Sequence, residues 1–278
     1  MLGGLYALFA MGLALMFGVM RLVNIAHGDC IVLAAFVAIG LALALPGAGP
    51  ALLLAMVLPL MFAAGYVLQR GVLNRTLGKD ILPPLLVTFG FSVILQNVLL
   101  EIFSADPRSL SAGGLESLSF ALPGGIAVGW LPLVTFVAAL ALALALELLF
   151  ARTRLGRAFR ATSDDPEAAQ LQGIDHRHVY ALATALAFAV ITVAGIFLAL
   201  RTTVAPSDGP AYLLYAFEAV IIGGLGSFWG TLAGGLVLGV AQAIGFRLDP
   251  GWGILVGHLA FLVMLMLRPQ GLFPRTRD

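Results

Sequence analysis

Asn24, His27 and Asp29 fall within six residues, between the apolar runs 2–20 and 30–45. An amide, an imidazole and a carboxylate in such a setting are expensive in lipid and need a reason to be there. With Gly28 they read as a break in a helix, whose freed N–H and C=O groups can line the path of a polar solute. The alternative, of equal weight on composition, is a turn at the membrane surface marked by Arg21. His27 has no partner at ligand spacing, so no metal site is expected. A second stretch, Gly223-Gly224-Leu225-Gly226-Ser227, puts three glycines where a helix would otherwise continue. It reads as a hinge or a pore-lining break. Gly230, Gly234, Gly235 and Gly239 are explained more simply by small-xxx-small helix packing.

The third stretch is the polar interruption at 151–178, which carries Arg152, Arg154, Arg157, Arg160 and Arg177. Asp165 suits an N-cap, Pro166 the first helical position, and Glu167 the positive helix end. Ala168 and Ala169 propagate the helix, and Gly173 supplies a left-handed C-cap before Ile174. This spacing predicts a stub of about two turns, roughly 10–12 Å long. It is too short to be stable alone, and its alanine face would let a partner come close.

Enzyme chemistry finds no constellation. There is no Gly-x-Ser-x-Gly turn, no His-Glu-x-x-His and no Gly-x-x-x-x-Gly-Lys-Ser/Thr. No catalytic residue, metal or cofactor is therefore assigned to this chain. Cys30 is the single cysteine, which excludes an internal disulfide framework. Glu147 is expected to pair with Arg152 or Arg154. Glu218 and His258 lie deeper in apolar runs with no cation near in sequence, and read as satisfied polar residues ahead of proton carriers.

These residues sit in 278 residues that are 61% hydrophobic and 10% charged, with a mean hydropathy of +1.04. Repeated apolar runs of about 17–22 residues mark an all-α, polytopic membrane protein, read as one transmembrane domain over 1–278. The formal net charge of +1 gives no case for nucleic acid. The first run lacks a basic flank and reads as a retained helix, not a signal peptide. Orientation follows from the basic residues. Arg70, Arg75 and Lys79 fill one loop, five arginines the 151–178 stretch, and Arg268, Arg275 and Arg277 the tail; all three should be cytoplasmic. The chain must then cross an even number of times between 178 and 268. The block 212–244 therefore counts as two passes, one on each side of the glycines. About eight or nine membrane segments result, with the side of the N-terminus left open.

The chain resembles a known family. Gly4-Leu5-Tyr6-Ala7-Leu8, Phe17-Gly18-Val19-Met20-Arg21 and Asn24-Ile25-Ala26-His27-Gly28-Asp29 resemble the start of branched-chain amino acid ABC transporter permeases, in the Asn-x-Ala-His-Gly form of their two paralogues. Gly156-Arg157-Ala158-Phe159-Arg160-Ala161, Asp165-Pro166-Glu167-Ala168-Ala169 and Gly173-Ile174-Asp175 resemble the family's EAA loop, which contacts the ATPase. Gly223-Gly224-Leu225-Gly226-Ser227 and Arg268-Pro269-Gln270-Gly271-Leu272-Phe273 also fit its pattern, whereas Glu218 belongs to none of these motifs. The resemblance implies a multi-pass permease of the bacterial inner membrane. Its partners would be a second homologous permease, two cytoplasmic ATPases carrying ATP and Mg, and a periplasmic substrate-binding protein. It implies alternating access for branched-chain or other neutral amino acids, with urea, short amides or aromatic acids as other substrates in the family. Gly156, Arg157, Arg160, Asp165, Glu167, Ala168, Ala169, Gly173 and Ile174 would serve coupling. Asn24, His27, Gly28, Asp29, Gly223, Gly224, Gly226 and Ser227 would serve the pathway. The rival reading is a stand-alone secondary transporter or channel for a small polar solute, with 21–29 and 223–227 as paired broken helices. A capped polar loop at 155–175 is what such a transporter does not need.

Overall fold

The computed structural model describes residues 2–77, 82–111, 113–114, 118–122 and 126–273. Lys79, Arg275 and Arg277 lie outside the described residues. The helices are α1 (Leu2–Met20), α2 (His27–Ala44), α3 (Pro50–Gly71), α4 (Leu82–Phe103), α5 (Trp130–Arg152), α6 (Arg154–Asp164), α7 (Pro166–Leu171), α8 (His176–Arg201), α9 (Gly209–Gly223), α10 (Phe228–Leu248) and α11 (Gly253–Leu267). Among the described residues seven of these, α1 to α5, α8 and α10, are long and apolar enough to cross a membrane. α9 and α11 are shorter apolar helices of 15 residues each. With them the expected eight or nine segments are met, and the split of the 212–244 block falls where the glycines put it.

α1 and α8 form the buried centre, and α3, α4, α5, α10 and α11 surround it with apolar faces turned outward. The small residues of α10 work on two sides. Gly230 and Gly234 meet Gly223 and Ala219 of α9, while Gly235 and Gly239 meet Gly3 and Ala7 of α1. A Cβ at any of these four would strike backbone of the facing helix, so close approach is what each glycine supplies.

The ends of the helices sort onto two sides. On one, the Phe150 ring at the end of α5 lies 5.1 Å from that of Phe228 at the start of α10. Ser163 of α6 donates to the Gly18 carbonyl near the end of α1 at 2.8 Å. The tail returns to the same place: the amides of Leu272 and Phe273 donate to the carbonyls of Ile222 and Gly223, both at 2.9 Å. These two bonds cap carbonyls that the end of α9 leaves free. The other side carries a hairpin that the sequence did not announce, β1 (Ser119–Leu122) against β2 (Ile126–Gly129). It also carries an isolated bridge between Arg108 and Val204. α1 begins towards the hairpin side, with Gly4 against Phe136 of α5, and ends beside α6. The start of α1 is therefore on the side opposite the α6–α7 loop.

This arrangement makes a topology test direct. In a Cys30→Ser background, cysteines at Arg75, Gln172 and Gln270 are expected to resist an impermeant thiol reagent added outside cells, and one at Ser207 to react. Labelling at Gln270 from outside would mean that α9 and α10 do not make two passes.

Candidate functional site

The sequence break at 21–29 is a break in the structure. Arg21 leaves α1 with φ +53°, a left-handed backbone uncommon for a residue with a Cβ. The chain then folds back into the bundle instead of turning at its surface. The Asn24 carboxamide oxygen accepts from the Ala26 amide at 3.0 Å, and α2 starts at His27. His27 reaches the carbonyl of Phe9 at 2.8 Å. A carbonyl only accepts, so Nε2 carries the proton. Phe9 and Gly12, beside the ring, are near the middle of α1. Asp29 accepts from Ser92 at 2.5 Å and from Gln96 at 2.9 Å, both near the middle of α4. Thr88 of the same helix accepts from the Ile25 amide at 3.3 Å. Asn24, His27 and Asp29 are buried, and the knot they form touches the midpoints of two spanning helices.

Gly28 completes the knot. It lies directly against the Gly209 carbonyl and Leu213 at the start of α9, and a Cβ on Gly209 would land on the Asp29 carboxylate. Two helix beginnings, those of α2 and α9, therefore meet at mid-depth beside one carboxylate, where the positive helix ends favour negative charge. Gly209 was missed by sequence reasoning, because Ser-Asp-Gly-Pro looks like an ordinary turn. Two polar atoms of the knot, Nδ2 of Asn24 and Nδ1 of His27, have no hydrogen-bond partner among the described residues.

Gly223, Gly224, Gly226 and Ser227 are elsewhere. Gly224 and Gly226 take φ of +105° and +82°, and Ser227 caps α10 by accepting from the Gly230 amide at 3.0 Å. The stretch sits at the α6–α7 side under the tail. A whole helix, α9, of roughly 20 Å by its 1.5 Å rise separates it from the knot. The two breaks are not in contact, and the element that meets the first is the start of α9.

The 151–178 loop folds as two helices. Gly156 lies under the last turn of α5, where a Cβ would strike the Leu149 carbonyl and Phe150. The Phe159 ring packs at a tilt against that of Phe150, with centroids 5.3 Å apart. Arg157 is exposed and Arg160 half-buried. Asp165 caps α7 by accepting from the amides of Glu167 and Ala168, both at 2.9 Å. Gly173, at φ +83°, closes it: its amide donates to Gln170 at 3.0 Å, and that of Ile174 to Ala169 at 3.1 Å. This is the paired bonding of a Schellman end. Two expectations change. α7 has six residues, short of two full turns. Glu167 and Ala168 face outward, but Ala169 is buried and Ile174 packs on the core. The outward apolar residue is Leu171, 91% exposed. Gly156, Ala169 and Ile174 thus shape the loop from within.

Beyond α7, Asp175 caps α8 and meets Arg70 of α3 at 3.2 Å. Burial raises its carboxyl pKa, but hydrogen bonds from Arg70 and from backbone amides outweigh this and hold it below the usual carboxylate range. Among the described residues the acid–base contacts within 4 Å are the Arg70–Asp175 ion pair and the hydrogen bond between His258 and Glu218. The expected pairing of Glu147 with Arg152 or Arg154 is not among them.

A helical membrane protein with two helix beginnings meeting at mid-depth, and a capped polar loop on one side, has the parts of a solute-transport subunit. The chain belongs to the family described as branched-chain amino acid transport system, permease component, whose profile matches residues 1–267. It is 31% identical to the high-affinity branched-chain amino acid transport system permease protein BraD of Pseudomonas aeruginosa, over 98% of this chain and 92% of that one. It is 30% identical to the permease protein LivH of Escherichia coli K12, over 99% of this chain and 92% of that one. The permease protein LivM of the same organism is 29% identical over 77% of this chain and 55% of its own length. No solved structure matches. The chain is a membrane permease.

Proposed function

We propose that this chain is one permease subunit of a bacterial inner-membrane ABC importer, moving branched-chain or other neutral amino acids by alternating access. On this reading residues 1–278 are one transmembrane domain. The observation that carries the coupling half of this reading is α7. It is fixed at both ends by its caps, stands on the basic side, and presents Glu167, Ala168 and Leu171 outward. A short helix with a bare leucine at its tip suits a groove on a cytoplasmic ATPase. Two such ATPases would hold ATP and Mg, which this chain does not bind.

A second permease is the natural partner, since LivH and LivM of one organism both match this sequence. A periplasmic binding protein would deliver substrate on the hairpin side. Push on α7 passes into α6, whose Ser163 holds Gly18 of α1. α1 in turn holds His27 through the Phe9 carbonyl. The knot can thus be displaced from the loop side through contiguous contacts. Its polar atoms suit a zwitterion, whose charged groups need hydrogen bonds along a dry path.

The test is uptake of radiolabelled L-leucine by membrane vesicles, with affinity purification of the tagged chain. An ATPase is expected to co-purify, and uptake to require ATP and the binding protein. Uptake abolished by an uncoupler, with no ATPase bound, would instead make the chain a gradient-driven transporter.

A further inference from the structure

Glu218, in none of the family's motifs, is 2% exposed and takes no part in the knot. Its Oε1 meets Nδ1 of His258 on α11 at 2.5 Å. The His258 ring stacks on Tyr215 with centroids 6.2 Å apart, and Tyr215 lies 5.0 Å from Tyr6 of α1. The Tyr6 hydroxyl donates to Oε1 of Gln242 on α10. Gln242 is 1% exposed, and Gly257 of α11 lets it fit, since a Cβ there would strike its side chain. Five side chains from four helices thus form a continuous polar and aromatic cluster in the body of the bundle.

The cluster is incomplete in a specific way. Oε2 of Glu218 and Nε2 of Gln242 are buried and have no hydrogen-bond partner among the described residues. A buried carboxylate oxygen and a buried amide N–H without partners are costly unless something else fills them. One is a carboxyl oxygen, and the other is an amide donor. The complement is a ligand with an ammonium group and a carboxylate. His258, whose side chain is 32% exposed, marks the mouth. A polar mouth on a membrane helix faces water or protein rather than lipid, which turns it towards a path shared with a second permease.

We propose that Glu218 and Gln242 form a substrate subsite for the zwitterionic head of an α-amino acid, with the ammonium on Glu218 and the carboxylate on the Gln242 amide. The inference rests on the amino-acid reading of the transporter and adds where the head group is read. The apolar side chain of a neutral amino acid then lies along the Tyr6, Phe9 and Tyr212 rings, which run from this cluster towards the knot.

The experiment is equilibrium binding of radiolabelled L-leucine to the purified permease–ATPase complex without binding protein, with 4-methylpentanoate, which lacks the ammonium, as comparison. Wild type is expected to bind leucine at millimolar concentration and to prefer it to 4-methylpentanoate. Glu218→Gln, close to isosteric, is expected to weaken leucine about tenfold and to erase that preference. Gln242→Glu, which turns the donor into an acceptor, should weaken leucine similarly. Thermal unfolding of each complex separates this from misfolding, and Glu147→Gln should behave as wild type. Wild-type affinity in both variants, or no leucine binding by wild type, overturns the subsite. Vesicle uptake is read in parallel: leucine uptake without Glu218-dependent binding sinks the subsite and leaves the amino-acid reading standing, whereas absence of leucine uptake sinks that reading itself.

Discussion

Leu171→Asp is expected to leave the protein in the membrane at wild-type level, while leucine uptake falls about a hundredfold or more. Leu171 makes almost no contact within the chain, so its replacement costs the fold little. In a partner's groove the same residue is worth about 1.5–3 kcal/mol of burial, and an aspartate there adds the cost of desolvating a charge. A loss of roughly 3 kcal/mol is a little over a hundredfold in docking. Ala168→Trp should act in the same direction, because Ala168 is outward and a large ring would hold the groove open. Gly173→Val acts differently. Nothing lies within 4 Å of its would-be Cβ, so its cost is only the left-handed backbone, about 1–2 kcal/mol. Leu171→Met, of similar volume, should remain near wild type. Co-purification of the ATPase is measured beside uptake for each variant. If Leu171→Asp and Ala168→Trp both bind the ATPase and transport normally, the loop is a connector.

This loop was legible in the sequence because its signals are local. Asp165, Pro166 and Gly173 fix where α7 starts and stops within nine positions, and each acts on backbone groups a few residues away. The glycine break at 223–227 was legible for the same reason, since two of its residues need a left-handed backbone. Which way α7 faces was not legible. In a helix of six residues the packing of Ile174 and Ala169 on the rest of the protein decides the inward side, and Leu171 is left outside.

The functional centre was half legible. Asn24, His27 and Asp29 announced themselves by being polar among apolar residues, but their partners did not. Ser92, Gln96 and Thr88 are ordinary polar residues of a spanning helix until the fold brings them to Asp29. Gly209 lies in a stretch with the composition of a surface turn, and only the position of α2 gives it a second role. Glu218 and His258 are 40 residues apart, with no periodicity linking them. The hairpin was hidden because its two strands have four residues each within a loop rich in glycine, serine and proline.

The meeting of α2 and α9 gives the second large effect. A Cβ on Gly28 would sit 2.7 Å from the Leu213 amide nitrogen, 2.8 Å from the Gly209 carbonyl carbon, and closer still to that carbonyl oxygen. These are backbone atoms at the start of a packed helix and cannot rotate away. Overpacking of a core side chain costs about 1–3 kcal/mol, and a backbone clash falls at or above that range. Gly28→Ala is therefore expected to reduce uptake at least tenfold and to lower the thermal midpoint of the complex, with Gly28→Val worse. Gly209→Ala should do the same by pressing on Asp29. Gly90→Ala in α4 is the control, because nothing lies within 4 Å of that position, and replacing a helical glycine there should be neutral or stabilising by about 0.5–1 kcal/mol. His27→Leu separates structure from transport. The Phe9 carbonyl it releases sits inside α1, where the helix ladder still supplies a donor, so assembly should survive while uptake falls. Normal uptake with His27→Leu and Asn24→Leu would remove the knot from the path and leave it as a joint between two helices.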